Sequence, residues 1–236
     1  MNEQKTTRCP ECQGDGFIVD IYSDPVSECS NCNGTGKVPL ELKKLLSYGN
    51  AKLPSTTAIF NMSPASECPA AKLGLCNVSD ICYAKKPETY GYAPKCLPYR
   101  LRQSEYWLNA SADDFTTEFY EIILRKKKVT AVRFNEAGDF HSQECVDKTI
   151  KIAYILKHLG ITTYCYTKRD DLDFSKRGYL RVIGSNKMYD AEYASVKNAS
   201  KAFEDCKEKK HLCPADCKKC NVCLWGEKVK IFAEIH

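Results

Sequence analysis

Fifteen cysteines in 236 residues, most of them in three tight groups, constrain this chain more than any other feature. Cys9-x2-Cys12 and Cys29-x2-Cys32 stand near the start, and Cys68, Cys76 and Cys82 follow in the first half. Cys213-x3-Cys217-x2-Cys220-x2-Cys223 lies near the end. Grouped thiols serve disulfides, zinc or iron–sulfur chemistry, and the choice among these decides much of what the chain can do.

Met1 to Thr7 are polar and lack the apolar core of a secretory signal. The mixed stretch Ile150 to Leu159 is broken by Lys151, Tyr154, Lys157 and His158, so no membrane span is expected. A cytoplasmic protein without membrane attachment follows, in a compartment where grouped thiols bind metal rather than pair. The odd count also leaves one thiol over in any all-disulfide monomer. The formal charge of +5 permits nucleic acid as a partner without requiring it. The basic runs Arg125 to Lys128 and Lys207 to Lys219 suit either phosphate contact or a solvated surface.

Residues 9–16 read C-P-E-C-Q-G-D-G and residues 29–36 read C-S-N-C-N-G-T-G, an internal repeat. Each C-x2-C turn presents two thiolates, and two turns complete a tetrahedral shell around one ion. Phe17-Ile18-Val19 followed by Ser23-Asp24-Pro25 predicts a small hairpin between the turns. The repeat resembles the cysteine-rich zinc finger of DnaJ-type chaperones over about residues 8–37, half of their four-repeat array. That resemblance implies one structural zinc on Cys9, Cys12, Cys29 and Cys32. Nothing in the chain resembles a J domain, so chaperone activity is not implied. Pro39 is placed to open a short helix that Gly49-Asn50 would end. The expected organisation is a zinc-finger module at 1–38, a linker at 39–53 and a cysteine-rich α/β domain at 54–236.

Within the α/β domain, Thr56 to Met62 reads as a strand followed by a long cysteine-bearing loop to about Cys96. Leu97 to Asn109 and Asp113 to Lys128 read as helices, the second with Phe115, Phe119, Ile122 and Ile123 at helical spacing. Val129 to Phe134, Ile161 to Tyr166, Tyr179 to Ile183 and Lys228 to Ile235 read as strands, with a helix over Gln143 to Leu159. Strand alternating with helix predicts parallel βα units forming a partial or complete barrel, or a doubly wound sheet. In either, chemistry gathers at the carboxyl ends of the strands. Those ends carry Asn61, the run Asn135 to His141, Thr167 to Asp171, and Gly184-Ser185-Asn186.

Cys68, Cys76 and Cys82 offer three thiolates within fifteen residues, enough for three irons of a cubane cluster or three positions around zinc. A cysteine beside Tyr83 and Ala84 would also suit the start of a buried helix. Glu136, Asp139 and His141 on a strand-end loop are candidate acid–base groups or ligands, and Asp139 is also placed to cap the next helix. Arg133 alternates within its strand toward the barrel interior, where it would require an acidic partner.

The S-P-x-x-x-C-P…C…C-Y-A loop, R-F-x-x-A-G-D-F at Arg133 to Phe140, Y-x-Y-T-K at Tyr164 to Lys168 and the terminal cysteine run resemble the phage and plasmid family called gene product 88, over about residues 50–236. That resemblance implies a phage or mobile-element origin, hence host cytoplasm, and no particular reaction. The order of elements is also similar to that of radical S-adenosylmethionine enzymes. In those, three cysteines after the first strand hold a 4Fe–4S cluster whose fourth iron binds the cofactor, and a turn after strand two contacts its amino group. This likeness implies Cys68, Cys76 and Cys82 as cluster ligands and Asn61, Gly138 and Asp139 as cofactor-binding residues. The spacing here, x7 then x5, differs from the compact C-x3-C-x2-C of that family.

Cys213, Cys217, Cys220 and Cys223 give four thiolates in eleven residues, a closed centre that suits zinc or a 4Fe–4S cluster. His211 is either a substitute ligand or an ordinary loop residue. Two functions follow as expectations. One is a phage-type metalloenzyme-like α/β protein with zinc in its finger and an iron–sulfur cluster or zinc at the central and carboxyl-terminal cysteines, radical chemistry requiring the iron. The other is a non-enzymatic, zinc-stabilised protein that presents Tyr83, Tyr90, Tyr92, Tyr99 and Tyr106, interleaved with Lys85, Lys86, Lys95, Arg100 and Arg102, to nucleic acid or a host protein.

Overall fold

The computed structural model describes residues 6–9, 12, 14–19, 25–30, 32–39, 41–89, 96–125, 128–185 and 187–234. The expected turn at Ser23-Asp24, Tyr90, Tyr92 and Lys95 of the aromatic–basic set, Lys126 and Lys127 of the first basic run, Asn186 and Ile235 lie outside these residues. No helix among the described residues is long and apolar enough to cross a membrane.

Four short strands make up the amino-terminal part: β1 (Thr6–Arg8), β2 (Phe17–Val19), β3 (Pro25–Glu28) and β4 (Lys37–Pro39). β1 pairs antiparallel with β4, and β2 with β3 as the expected hairpin. Next come α1 (Leu42–Leu45) and β5 (Ser47–Tyr48). Pro39 thus closes a strand instead of opening a helix. Gly49 turns β5 back onto the next strand rather than ending α1, its N–H reaching Thr57 O at 2.9 Å. Leu42, Leu45 and Leu46 are buried in the core of the α/β domain, which draws this segment onto it.

The α/β domain runs β6 (Thr57–Phe60), α2 (Pro69–Lys72), α3 (Lys86–Thr89), α4 (Cys96–Asn109), α5 (Ala112–Arg125), β7 (Ala131–Phe134), α6 (Gln143–His158), β8 (Thr162–Thr167), β9 (Leu180–Gly184), β10 (Ala191–Val196), α7 (Ala199–Asp205), β11 (Lys210–Leu212), α8 (Val222–Trp225) and β12 (Lys230–Glu234). Eight strands form one sheet in the order β11-β12-β10-β9-β8-β7-β6-β5. All neighbours are parallel except β5, which covers the β6 edge antiparallel. From β6 to β10 each new strand joins on the same side of the last. Such a sheet has no switch point, and same-handed crossovers collect the helices on one face. This is the partial-barrel order; the doubly wound alternative does not hold.

Strand alternation then sorts the side chains. Phe60, Val132, Phe134, Cys165 and Val182 face the helices and join Tyr106, Trp107, Phe115 and Phe119 in the main core. Rings there meet edge to face, with Phe60 and Phe115 centroids 5.4 Å apart at 90°. Ala131, Tyr164, Ile183 and Ile231 face the other way, and the segment bearing Cys213, Val222, Cys223 and Leu224 packs over them. The carboxyl-terminal cysteines and the short α8 therefore cover the face of the sheet opposite the main core. At the start of α6 the N-cap position is Ser142, so Asp139 does not cap that helix.

Candidate metal centres and the carboxyl edge of the sheet

Cys9, Cys12, Cys29 and Cys32 are buried, and their sulfurs all lie within 4.8 Å of one another. Cys9 Sγ is 3.7 Å from Cys29 Sγ, and Cys12 Sγ is 3.7 Å from Cys32 Sγ. Sulfurs on a tetrahedron with metal–sulfur bonds of about 2.3 Å stand about 3.8 Å apart, so the thiols are spaced to hold one ion. The two repeats reciprocate: Cys9 N–H donates to Gly36 O at 2.8 Å and Cys29 N–H to Gly16 O at 2.7 Å. Gly16 and Gly36 in turn donate their N–H groups to the sulfurs of Cys12 and Cys32 at 3.2 and 3.3 Å. A Cβ on Gly36 would fall 2.0 Å from Gly14 O, so this position accepts only glycine. Among the described residues this is the one group of three or more potential ligands so closely gathered.

At the carboxyl edge of the sheet, the loops after β6 and β7 are zipped together. Ala137 N–H donates to Asn61 Oδ1 at 2.7 Å, Asp139 N–H to Ser63 Oγ at 3.3 Å, and Met62 N–H to Asn135 Oδ1 at 3.4 Å. His141 Nε2 lies 2.9 Å from Met62 O. Gly138 has φ +71° and sits so close that a Cβ would fall 2.1 Å from Ser63 Oγ. The Asp139 carboxylate carries the zipper on to β8. It accepts from Phe140 N–H at 2.8 Å, Thr167 Oγ1 at 2.7 Å and Lys168 N–H at 2.8 Å. Burial pushes its pKa up to about 6 against those donors and the charge of Arg169. Arg169, also buried, spans the same edge, donating to Phe140 O at 2.6 Å and pairing with Asp171 at 2.7 Å.

The three candidate acid–base groups do not share a partner. Glu136 is half-buried and accepts from Asn50 Nδ2 at 2.5 Å, Asp139 faces Thr167 and Lys168, and His141 faces Met62 O. Asn61, with Nδ2 on Gln103 Oε1 at 3.1 Å, is fully engaged as a clamp between β6, α4 and the β7 loop.

The central cysteine loop lies against this edge. Cys82 packs on Ala65, Ala84 and Ala137. Cys68 is pushed up to about 11 by burial, with the charges of Asp139 and Cys76 adding to the rise. All three thiols are half-buried, and their sulfurs are not gathered as the amino-terminal four are. The loop is held by Glu88, which accepts from Ala65 N–H and Ser66 N–H at 2.7 and 2.9 Å and pairs with Arg100 at 2.5 Å. Sequence reasoning missed Glu88, Arg100 and Ser63 as organisers of the site. Ser63 stood inside the S-P-x-x-x-C-P motif, but Glu88 and Arg100 carried no local signal.

Cys213, Cys217, Cys220 and Cys223 line one small cavity of about 20 Å³ together with His211, Tyr164 and Tyr166. Cys220 Sγ is 3.3 Å from His211 Nε2. Burial pushes Cys223 up to about 11. Arg181, on the same sheet face as Tyr164 by register, holds the segment down by donating to Cys223 O at 2.7 Å and Val222 O at 3.2 Å.

Searches of curated proteins and of solved structures returned no match. The family model of gene product 88 covers residues 35–188. It takes in the central cysteine loop and the zipped strand ends. It stops short of the carboxyl-terminal cysteines, which the motif resemblance had included. With well over half of its length inside that model, the chain belongs to the gene product 88 family.

Proposed function

We propose that the protein is a phage-type, metal-dependent α/β protein whose reaction centre lies where the central cysteine loop meets the β7 turn. In this reading Cys68, Cys76 and Cys82 hold an iron–sulfur cluster, with one iron left for S-adenosylmethionine. Cys9, Cys12, Cys29 and Cys32 hold a structural zinc, and the carboxyl-terminal cysteines hold a further metal. The observation that carries the reading is the packing of Cys82 against the Ala65, Ala84 and Ala137 cluster, with Cys68 within electrostatic reach of Asp139, at the carboxyl edge of a singly wound parallel sheet. Three soft thiolates suit iron–sulfur ligation, and a set of three leaves one position for another ligand.

Bound there, a reduced cluster supplies single electrons for radical chemistry on S-adenosylmethionine. The chain's own residues orient and enclose. Gly138 brings the β7 turn within reach of the cysteine loop, Asp139 fixes that turn against β8, and Asn61 clamps it to β6. Glu136 and His141 stand half-buried at the rim, where a proton could be taken or given.

Anaerobic purification of the full chain with iron, sulfide and zinc analysis and an absorption spectrum tests this reading. The expected product is brown and loses iron and sulfide when Cys68, Cys76 and Cys82 are replaced together by serine. A colourless protein carrying zinc alone sinks the radical version. It would leave the second reading, a zinc-stabilised nucleic-acid- or host-protein-binding protein. Tyr83, 58 % exposed, favours that second reading. Tyr106 and Arg100 do not contribute to such a surface, since both are buried and bonded to Glu118 and Glu88.

A further inference from the structure

The face of the sheet opposite the main core carries two guanidinium groups, Arg133 and Arg181, and among the described residues no carboxylate is paired with either. Arg181 donates to the main-chain carbonyls of the cysteine segment. Arg133, its neighbour but one across β8, stacks on Tyr166 with Cζ 4.7 Å from the ring centroid. Its Nε is enclosed without a hydrogen-bond partner. The groups within its electrostatic reach are Tyr83, Tyr166, Tyr164 and Glu136, and the Glu136 carboxylate is taken by Asn50. The Glu136 charge therefore acts on Arg133 from a distance, with no ion pair between them among the described residues. Arg133 is half-buried, and its enclosed Nε is a donor left without an acceptor, which carries a cost.

Asp216, which lines the same cavity, is turned to Lys219 and to the Lys218 N–H, so the remaining candidates on that face are the four thiols. Each has its own polar neighbour from a different strand. Tyr193 of β10 is within hydrogen-bond reach of the Cys213 sulfur, and Tyr166 of β8 of the Cys223 sulfur. His211 of β11 lies 3.3 Å from Cys220, and Arg133 of β7 places its charge on Cys217. Neutral thiols are weak acceptors and would not balance a guanidinium. Four thiolates on one divalent ion leave two negative charges, and outer-shell donors stabilise such sulfurs. The four sulfurs line one small cavity on this face, and four thiolates complete the shell of one tetrahedral ion.

We propose that Cys213, Cys217, Cys220 and Cys223 bind a single thiophilic divalent ion, and that the half-buried Arg133 is the counter-charge of this centre, with Tyr193, His211 and Tyr166 serving the other three sulfurs. The inference rests on the reading that these cysteines hold a metal, and it adds that the sheet face is built in advance to receive the charge of a mononuclear tetrathiolate. The centre is closed: its role is to fasten the segment between β11 and β12 over the sheet.

The test uses the full-length chain carrying Cys9→Ser, Cys12→Ser, Cys68→Ser, Cys76→Ser and Cys82→Ser, so that the carboxyl-terminal centre is read by itself. Zinc content and affinity are measured by chelator competition, and the cobalt-substituted spectrum reports sulfur ligation. Zinc at one per chain with a tetrathiolate cobalt spectrum is expected. Arg133→Met is expected to weaken binding on the order of 10- to 100-fold, with Arg133→Lys recovering part of the loss. Tyr166→Phe, which keeps the ring and removes one donor, is expected to weaken it several-fold, and decides the matter if Arg133→Met does not fold. No bound metal, or an iron–sulfur cluster in its place, overturns the mononuclear reading itself. Metal bound as tightly in Arg133→Lys and Tyr166→Phe as in the parent overturns the counter-charge alone.

Discussion

Glu88 and Arg100 form an ion pair of 2.5 Å whose side chains are 1 % and 9 % exposed, and between them they grip both ends of the central cysteine loop. Glu88 takes the N–H groups of Ala65 and Ser66, while Arg100 also donates to Ala84 O at 2.6 Å. Removing one member leaves the other buried and unpaired, which costs about 3–5 kcal/mol. Glu88→Gln is expected to lower stability by that order in denaturant titration at pH 7. Burial alone would raise the Glu88 pKa, but the bonds from Arg100, Ala65 and Ser66 win and hold it below 4.5. A depressed carboxyl stabilises the fold above its unfolded pKa and loses that contribution as pH falls through the folded one. The gap between wild type and Glu88→Gln should therefore shrink below about pH 4.5; a gap that stays constant to pH 3 would refute the pair's role.

Asp139 has the opposite sign. Its folded pKa of about 6 exceeds the ordinary 3.8 because burial penalises the charge. Between those values the folded chain keeps a proton that the unfolded chain has released, so stability falls as pH rises from about 4 to about 6. The change is of the order of 2–3 kcal/mol. Asp139→Asn removes the titration and turns an amide N–H toward Lys168 N–H, so the variant should be less stable and flat over that range. Stability measured at half-unit steps from pH 4 to 7 checks both.

The contrast between these residues and the sequence explains what could be read early. The helix at Ala112–Arg125 and the strands at Thr57–Phe60 and Thr162–Thr167 were legible because burial at fixed period is written into Phe115, Phe119 and Ile122, or into short apolar runs. β10 was not, since five of its six residues are only half-buried and Glu192 is turned to Lys230 at 3.0 Å. β11 is three residues long and exists by pairing with β12. The cysteine repeat was legible because its ligands and the backbone donors that serve them are close in sequence. The partners of Asp139, Glu88 and Arg133 come from other strands and helices, and spacing does not encode them. Glu136, Asp139 and His141, neighbours in the chain, bond to three different segments for the same reason.

Gly138 offers a sharper test of the zipped strand ends. A methyl group at this position meets Ser63 Oγ at 2.1 Å and Ser63 O at 2.3 Å, and the backbone lies in the left-handed region. Gly138→Ala should cost about 2–4 kcal/mol, combining about 1 kcal/mol of backbone strain with displacement of the β6 loop. The same substitution should expose Cys68 and Cys82 to thiol reagents faster than in wild type. Unchanged stability and unchanged thiol reactivity together would show that the two loops are not held as described.

The amino-terminal repeat should depend wholly on its ion. Among the described side chains, the buried cluster of this part is Cys9, Cys12, Cys29 and Cys32, while Phe17 and Ile18 are 44 % and 39 % exposed. A segment of about thirty residues without a hydrophobic core folds only with its metal. The sheet from β5 to β12 has its own core of some size, built on Phe60, Trp107, Phe115 and Phe134. Chelation, or Cys9→Ser, is expected to abolish amide protection across residues 6–39 while strands β6 to β9 keep theirs in hydrogen exchange. Protection that survives at the Cys9 and Cys29 amides after the metal is gone would mean that their bonds to Gly36 O and Gly16 O, not the ion, hold the two turns together.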